Sequence, residues 1–303
     1  MNAEINLVSL VEKFNSEDAC RAYLEELRWP DGICCPRCES KKIARLQKRN
    51  QFECSDCRYQ FSVTSGTIFH DSHLPLWKWF AAIYLIGEAK KGISANQLKR
   101  TLGVSYKTAW YLCHRIRAAM SGEGAPMLSG IVEADETYVG GKLSGFATRS
   151  ESAKRRLDNK TTVLGAIERG GELRVQVAPD ASHESIHGFL GEVVSDDAEA
   201  IYTDSFRSYR GCGDENTKHE YVDHSREEWV RGGVHTNSIE SAWSLFDRAV
   251  IGSYHKLSKK HLQAYLDEFA FRFNNRANPY LFRDTMLRLI TSESLTYADL
   301  TSH

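Results

Sequence analysis

The chain has no apolar run long enough to cross a membrane: its longest, Trp79 to Gly87, falls far short of the roughly 18 residues a spanning helix needs. Its opening, MNAEINLVSLVEKF, carries acids where a signal peptide needs a basic flank, so no export is expected and a cytoplasmic location is read. Proline and glycine are sparse, 6 and 21 in 303 residues, which excludes collagen-like and fibrous classes. With 42% hydrophobic and 26% charged residues, a disordered chain is a poor fit as well. What remains is a globular protein of about two domains, at roughly 150 residues each.

Net charge is also nearly absent, −1 overall, but this hides an asymmetry. Residues 1–127 carry 18 Lys and Arg against 13 acids, a balance of +5, which leaves −6 for the rest. A basic front and an acidic back suggest separate jobs. Residues 89–117 hold Lys90, Lys91, Lys99, Arg100, Lys107, Arg115 and Arg117 with no acid at all, the footprint of a surface facing phosphates.

Five of the eight cysteines crowd into residues 34–57, and without a secretory signal this argues against disulfides. Cys35-Pro-Arg-Cys38 and Cys54-Ser-Asp-Cys57 are each C-x2-C, 15 residues apart, the spacing at which two knuckles give four thiolates to one tetrahedral Zn²⁺. Cys34 competes with Cys35 through a C-x3-C alternative, and Pro36 favours Cys35. Ile43 to Leu46, Gln51 to Glu53 and Tyr59 to Val63 alternate like the strands of a zinc ribbon. Lys41, Lys42, Arg45, Lys48 and Arg49 on those strands point to nucleic-acid contact.

From Leu74 the apolar period becomes that of a helix, with a stripe of Trp77, Phe80, Ala81, Tyr84 and Leu85 expected in the core. Ser94-x-x-Gln97 reads as a capping box, and Leu102 to Ser105 as the turn into a second helix that buries Ala109, Leu112, Cys113 and Ile116. Its other face offers Tyr106, Lys107, Trp110, Tyr111, His114 and Arg115. The pair therefore looks like a helix-turn-helix, with Lys99, Arg100, Tyr106, Lys107 and Arg115 as expected DNA contacts.

Beyond a linker at 121–130, strands are expected at 131–139, 161–168 and 172–178, then a helix at 184–194, strands at 199–203 and 219–222, and a helix from Asn237. This βββαβ order followed by a helix is that of RNase H-like folds. The Ser- and Lys/Arg-rich interval 142–160 reads as a loop near the site. The fold class expected is multidomain α+β: residues 1–66 as an N-terminal helix plus zinc ribbon, 67–127 as the helix-turn-helix-like segment, 128–290 as an RNase H-like domain with a mixed sheet, and 291–303 as a tail.

Asp135 in the first strand, Asp204 at the exit of the fourth and Glu240 in the first turn of the late helix come from three different elements. Three converging carboxylates can hold one or two Mg²⁺ through hard oxygen ligands. Glu133 and Glu136 compete with Asp135, and strand alternation is taken to set both across the sheet from it. Asn237-x-x-Glu240 also fits an N-cap with its N3 partner. His235 is a loop histidine within reach of DNA or a water, and Arg272 and Arg276 are further basic groups for phosphates.

CPRC with ECSDC, GISANQLKRTLGVSYKTAWYLCHRIR, EADETYVGGK, YTDSFRSY, HTNSIESAWSLF and YHKLSKKHLQAYLDEFAFRFNNR together resemble the zinc-ribbon DDE transposases of bacterial insertion sequences, the group related to eukaryotic Merlin elements. The likeness runs in order from about residue 10 to 290. By resemblance Asp135 and Asp204 match the first two catalytic acids and Glu240 the third, while relatives with Asn in the third role point to Asn237. The general pattern sets a Lys or Arg seven residues after the Glu, where this chain has Asp247 with Arg248 next. The resemblance implies a transposase that binds the terminal repeats of an insertion sequence in double-stranded DNA, then cleaves and transfers strands without a covalent protein intermediate. It implies one structural Zn²⁺, a pair of catalytic Mg²⁺ or Mn²⁺ ions, a homodimer or larger synaptic assembly, and a nucleoid-associated place in a prokaryotic cytoplasm. A DNA-binding regulator, or an RNase H-like nuclease without strand transfer, are the alternatives.

Overall fold

The computed structural model of the chain describes residues 5–121, 124–140 and 160–302. It forms two compact units: Met1–Met120 with Ala277–His303, and Ser121–Arg276. The ribbon and helical segment share one of these units. Almost all of the interval 142–160 lies outside the described residues.

The first unit opens with α1 (Leu7–Lys13) and α2 (Glu17–Arg28), followed by the antiparallel ribbon β1 (Ile43–Leu46), β2 (Gln51–Cys54) and β3 (Gln60–Phe61). Trp29, at the end of α2, packs edge-on against Phe52 and Phe61, which form most of the ribbon's small core. Next come α3 (Leu76–Glu88), α4 (Ala95–Leu102) and α5 (Tyr106–Ala118). Ser94 and Ser105 cap α4 and α5, their hydroxyls accepting from Gln97 N and Thr108 N at 3.1 Å, and Gly103, at φ +61°, ends α4 in the left-handed conformation that glycine tolerates. On α3 the buried face is Trp79, Phe80, Ala82, Ile83 and Ile86, while Trp77 stays 45% exposed. The expected stripe is thus rotated: WKWFAAIYLIG is apolar nearly all round, so its periodicity does not select a side.

The second unit is a five-stranded sheet built from β4 (Ile131–Gly140), β5 (Lys160–Glu168), β6 (Leu173–Ala178), β7 (Ala200–Asp204) and β8 (Lys218–Val222), with α6 (His183–Val193) between β6 and β7. α7 (Asn237–Ala249) and α8 (Leu262–Asn274) follow. The strand order is β6-β5-β4-β7-β8, with β4, β5 and β6 antiparallel and β4, β7 and β8 parallel. This is the mixed sheet expected of an RNase H-like domain. One face packs Val132, Ala134, Leu164 and Ile201 against Ile186, Phe189 and Leu190 of α6. The other packs Val163, Ile167 and Leu173 against Ile239, Trp243 and Phe246 of α7 and Leu266 and Phe269 of α8. α7 approaches so closely at Gly165 that a Cβ there would collide with the Trp243 ring and touch Ile239 Cδ1 at 3.1 Å. Glycine at this strand position lets α7 lie directly over β5.

Residues 277–303 complete the first unit through α9 (Leu281–Thr291) and α10 (Tyr297–Thr301). Phe282 of α9 stacks into an aromatic cluster with Phe14, Tyr23 and Phe80, which is why the chain after residue 276 joins the first unit. No helix among the described residues is long and apolar enough to cross a membrane.

Candidate active site and metal centre

The four expected thiols converge. Cys35, Cys38, Cys54 and Cys57 have every Sγ within 4.8 Å of the others, with Cys35 to Cys57 and Cys38 to Cys54 each at 3.6 Å. Zn–S bonds of about 2.3 Å in a tetrahedron put sulfurs about 3.8 Å apart, so this donor set fits zinc. The two knuckles share one backbone design. Each C-x2-C is followed by a left-handed residue, Glu39 at φ 59° and Arg58 at φ 58°, whose N–H donates to the carbonyl of Cys35 or Cys54. Backbone N–H groups of Cys57 and Asp56 lower the Cys54 thiol to about 7, favouring the thiolate a metal requires. Cys34 is outside the cluster.

On the sheet, Asp135 pairs across to Gly165, the residue under α7, so its carboxylate shares the face that α7 covers. The parallel register of β4 with β7 runs from Ile131–Ala200 to Glu133–Tyr202, so Asp135 and Asp204 each lie two residues beyond the last pair, on adjacent strands. The charges acting on Asp135 are negative: with burial, Glu136, Asp204 and Glu240 push its carboxyl up to about 8. Asp204 is fixed at the strand exit by Phe206 N–H, which donates to its Oδ1 at 2.8 Å. Glu240 stands one turn into α7, receives the Thr236 hydroxyl at 2.9 Å and lies 3.8 Å from His224 Nε2. It opens into a groove of 490 Å³ that it lines with Asn237, Ser241, Ser244 and Arg248. Among the described residues the four thiols are the group whose ligand atoms gather closely enough to hold a metal as they stand.

Three sequence expectations change here. Glu133 is not across the sheet from Asp135: two residues apart on a strand, they share a face. Its carboxylate is fully buried and accepts from Ser238 N at 2.7 Å and Ile239 N at 3.2 Å, capping α7 from a different element. Asn237 is therefore not the N-cap; Thr236 holds that position without a side-chain cap bond, and Asn237 is the first helical residue. Arg272 is buried, its Nε 3.1 Å from Glu268 Oε1, and is withdrawn as a phosphate contact. Glu136 does lie on the opposite face, where it accepts from Tyr209 Oη at 3.0 Å, and burial together with Asp204 holds its carboxyl above the ordinary range. Arg248, not the exposed Asp247, shares the groove with Glu240 and donates to Ser244 Oγ at 2.7 Å.

Residues 127–274 match the family profile of the ISXO2-like transposase domain, and residues 15–60 match the transposase zinc-ribbon domain. A protein of the transposable element ISH50 in Halobacterium salinarum is 32% identical over 276 residues, spanning 86% of this chain and 92% of that protein. The chain belongs to the ISXO2-like family of insertion-sequence DDE transposases. Solved structures with a distant likeness to this transposase include the Mos1 strand transfer complex, at 11% identity and TM-score 0.29 over 70% of this chain and 74% of that one. The Mos1 paired-end complex with left transposon end is also 11% identical, at TM-score 0.28 over 71% and 80% of the two chains.

The transposase's helical segment presents fewer basic groups than its sequence suggests. Lys99, Arg100, Tyr106 and Lys107 are exposed. Arg115 is not: it is 2% exposed, donates to the carbonyls of Ile68 and His70, and lies over the rings of Trp79 and Tyr111. Nearby, the face of α5 is occupied by the C-terminal residues. Tyr111 Oη donates to Leu295 O at 2.6 Å, and Tyr297 packs on Trp110 and Tyr111 with Lys107 Nζ 4.2 Å from its ring centre. Arg115→Ala is therefore expected to cost about 2–4 kcal/mol of stability by leaving the buried Ile68 carbonyl and the half-buried His70 carbonyl unpaired. Lys99→Ala and Arg100→Ala are expected to leave stability within about 0.5 kcal/mol and each to flatten the salt dependence of DNA binding by about one phosphate contact. Denaturant melts beside binding titrations at several salt concentrations separate the two behaviours.

Proposed function

We propose that this transposase grips the terminal repeats of its own element with the zinc ribbon and helical segment, and that Asp135, Asp204 and Glu240 hold a pair of Mg²⁺ or Mn²⁺ ions for strand cleavage and transfer. The observation that carries this reading is the placement of the acids: two carboxylates on adjacent strands, a third on the helix that covers them, and burial with the negative Glu136, Asp204 and Glu240 pushing Asp135 up to about 8. Ionised together, such acids repel unless a cation sits among them. When bound, the ions supply a more acidic attacking water and neutralise charge at phosphorus.

In the first reaction a water oxygen bonds to phosphorus at the element end and the bond to the 3′ oxygen breaks, freeing a 3′-OH. That hydroxyl then attacks a target phosphodiester and displaces its 3′ oxygen. No protein nucleophile is required. Lys99, Arg100, Tyr106 and Lys107 on the helical segment, with Lys41, Lys48 and Arg49 on the ribbon, would hold DNA phosphates. Joining two ends in one complex calls for a homodimer or a larger assembly.

Glu240 is favoured over Asn237 as the third ligand, since a carboxylate brings full charge to the metal and an amide only a carbonyl dipole. On DNA carrying the element's own ends, Glu240→Gln is expected to lower Mg²⁺-dependent cleavage at least about 100-fold with end binding intact. Asn237→Ala, at a first helical position with no capping bond from its side chain, is expected to keep most activity and to change stability by less than about 1 kcal/mol. An active Glu240→Gln beside a dead, folded Asn237→Ala reverses the assignment. DNA binding without turnover by the wild type means a regulator, and breaks without joined products mean a nuclease.

A further inference from the structure

The helix that carries Glu240 has no cap of its own. Its N-cap residue, Thr236, makes no side-chain cap bond, and the Thr236 hydroxyl is spent on Glu240 Oε1 at 2.9 Å. The missing cap arrives from the sheet. Glu133, two residues before Asp135 on β4, sends its carboxylate under the first turn of α7, where Oε2 accepts from Ser238 N at 2.7 Å and Ile239 N at 3.2 Å. Oε1 accepts from Ser238 Oγ at 3.0 Å and Arg169 Nε at 2.7 Å, with His235 Nδ1 at 3.2 Å.

A carboxylate with no solvent exposure needs both of its oxygens satisfied by donors. Here the positive end of α7 and the Arg169 guanidinium supply those donors. Arg169 is itself fixed, lying over the Tyr202 ring at 4.9 Å and donating to the carbonyls of Gly233 at 2.8 Å and His235 at 3.0 Å. Strand β4, the loop before α7 and the first turn of α7 are thus tied to one carboxylate.

We infer that Glu133 is a positioning residue that sets the separation between Asp135 and Glu240, and thereby the affinity of the site for its divalent metal. This rests on the reading of those acids as metal ligands. The strand bearing Asp135 and the helix bearing Glu240 meet through Glu133, which lies two residues from the first and bonds the backbone two residues before the second. With both its oxygens committed to the helix and Arg169, Glu133 is not itself a metal ligand. A purely structural cap would change stability alone, whereas a positioning residue changes the metal requirement.

The test compares wild type, Glu133→Gln, Ser238→Ala and Asp135→Asn in the full chain, with cleavage of DNA carrying the element's ends and, in the free protein, the Mg²⁺-induced rise in melting temperature each measured against Mg²⁺ concentration. Glu133→Gln is expected to raise the half-maximal Mg²⁺ concentration about 10- to 100-fold, with a smaller loss of rate at saturating Mg²⁺. Ser238→Ala deletes one bond to Oε1 and leaves the backbone cap, so it is expected to fold and to raise the requirement about 2- to 5-fold. It carries the test should Glu133→Gln fail to fold. Wild-type cleavage with an unchanged Mg²⁺ requirement in the folded variants overturns this inference alone. No Mg²⁺-dependent cleavage by wild type, with Asp135→Asn indistinguishable from it, overturns the reading of the acids and this inference together.

Discussion

Asp135→Asn is expected to abolish Mg²⁺-dependent cleavage, by at least about 10³-fold, while making the metal-free protein more stable. Both effects follow from one placement. Asp135 lies on the strand beside that of Asp204 and beneath the helix of Glu240, and burial with three neighbouring carboxylates pushes its carboxyl up to about 8. In the unfolded chain the same group ionises near pH 4. Between about pH 4 and about pH 8 the folded state therefore holds a proton that unfolding releases, and Asp135 subtracts stability progressively as pH rises through that window. Asparagine keeps the shape and removes the titration. The variant is expected to gain about 1–3 kcal/mol at pH 8 and nothing at pH 4. Mg²⁺ is expected to raise the melting temperature of the wild type and not that of the variant, because only the wild type releases its proton to bind the ion. Melting curves at both pH values, with and without Mg²⁺, check the stability limb. Cleavage by Asp135→Asn at the wild-type rate would remove this carboxylate from the chemistry.

Much of this site is legible in the sequence because period two and period 3.6 are strong signals in the second unit. The strands around Asp135 and Asp204 and the helix from Asn237 form where their alternation and their Ile239, Ala242, Trp243 and Phe246 stripe indicate. The zinc set is legible because C-x2-C spacing is a local property. The misreadings share a cause, which is that they depend on contacts distant in the chain. Arg115 stands in an acid-free basic run, yet its guanidinium is taken by the carbonyls of Ile68 and His70, more than forty residues away. The cap of α7 comes from Glu133, 105 residues before Ser238, whereas the local pattern offers Asn237. Residues 291–303 are short and polar enough to read as a tail, but Leu295 and Tyr297 meet Tyr111 on α5. Glu133 is the exception, since the pleat by itself sets it on the face of Asp135 and places a second acid of EADET beneath α7.

Removing the zinc is expected to have the other large effect, confined to the ribbon. The strands β1, β2 and β3 contain only four, four and two residues. Phe52, Phe61 and Trp29 form a core too small to offset the entropy of ordering about 30 residues, whereas a four-thiolate zinc site contributes on the order of 10 kcal/mol. Cys54→Ser takes away a thiol that backbone N–H groups dispose to ionise and is expected to reduce bound zinc from one ion to none. Amide hydrogens of β1 to β3 should then exchange fully within seconds, while those of β4 to β7 in the second unit keep their protection. Affinity for the element's ends is expected to fall about 10-fold or more, because Lys41, Lys48 and Arg49 lose their common scaffold. Cys34→Ser, outside the thiol cluster, is expected to retain the metal, the protection and the affinity. Metal analysis and hydrogen exchange on the two variants decide the matter. A zinc-loaded Cys54→Ser beside a zinc-free Cys34→Ser would reassign the ligand set, and protected ribbon amides without metal would show that the aromatic core holds the strands alone.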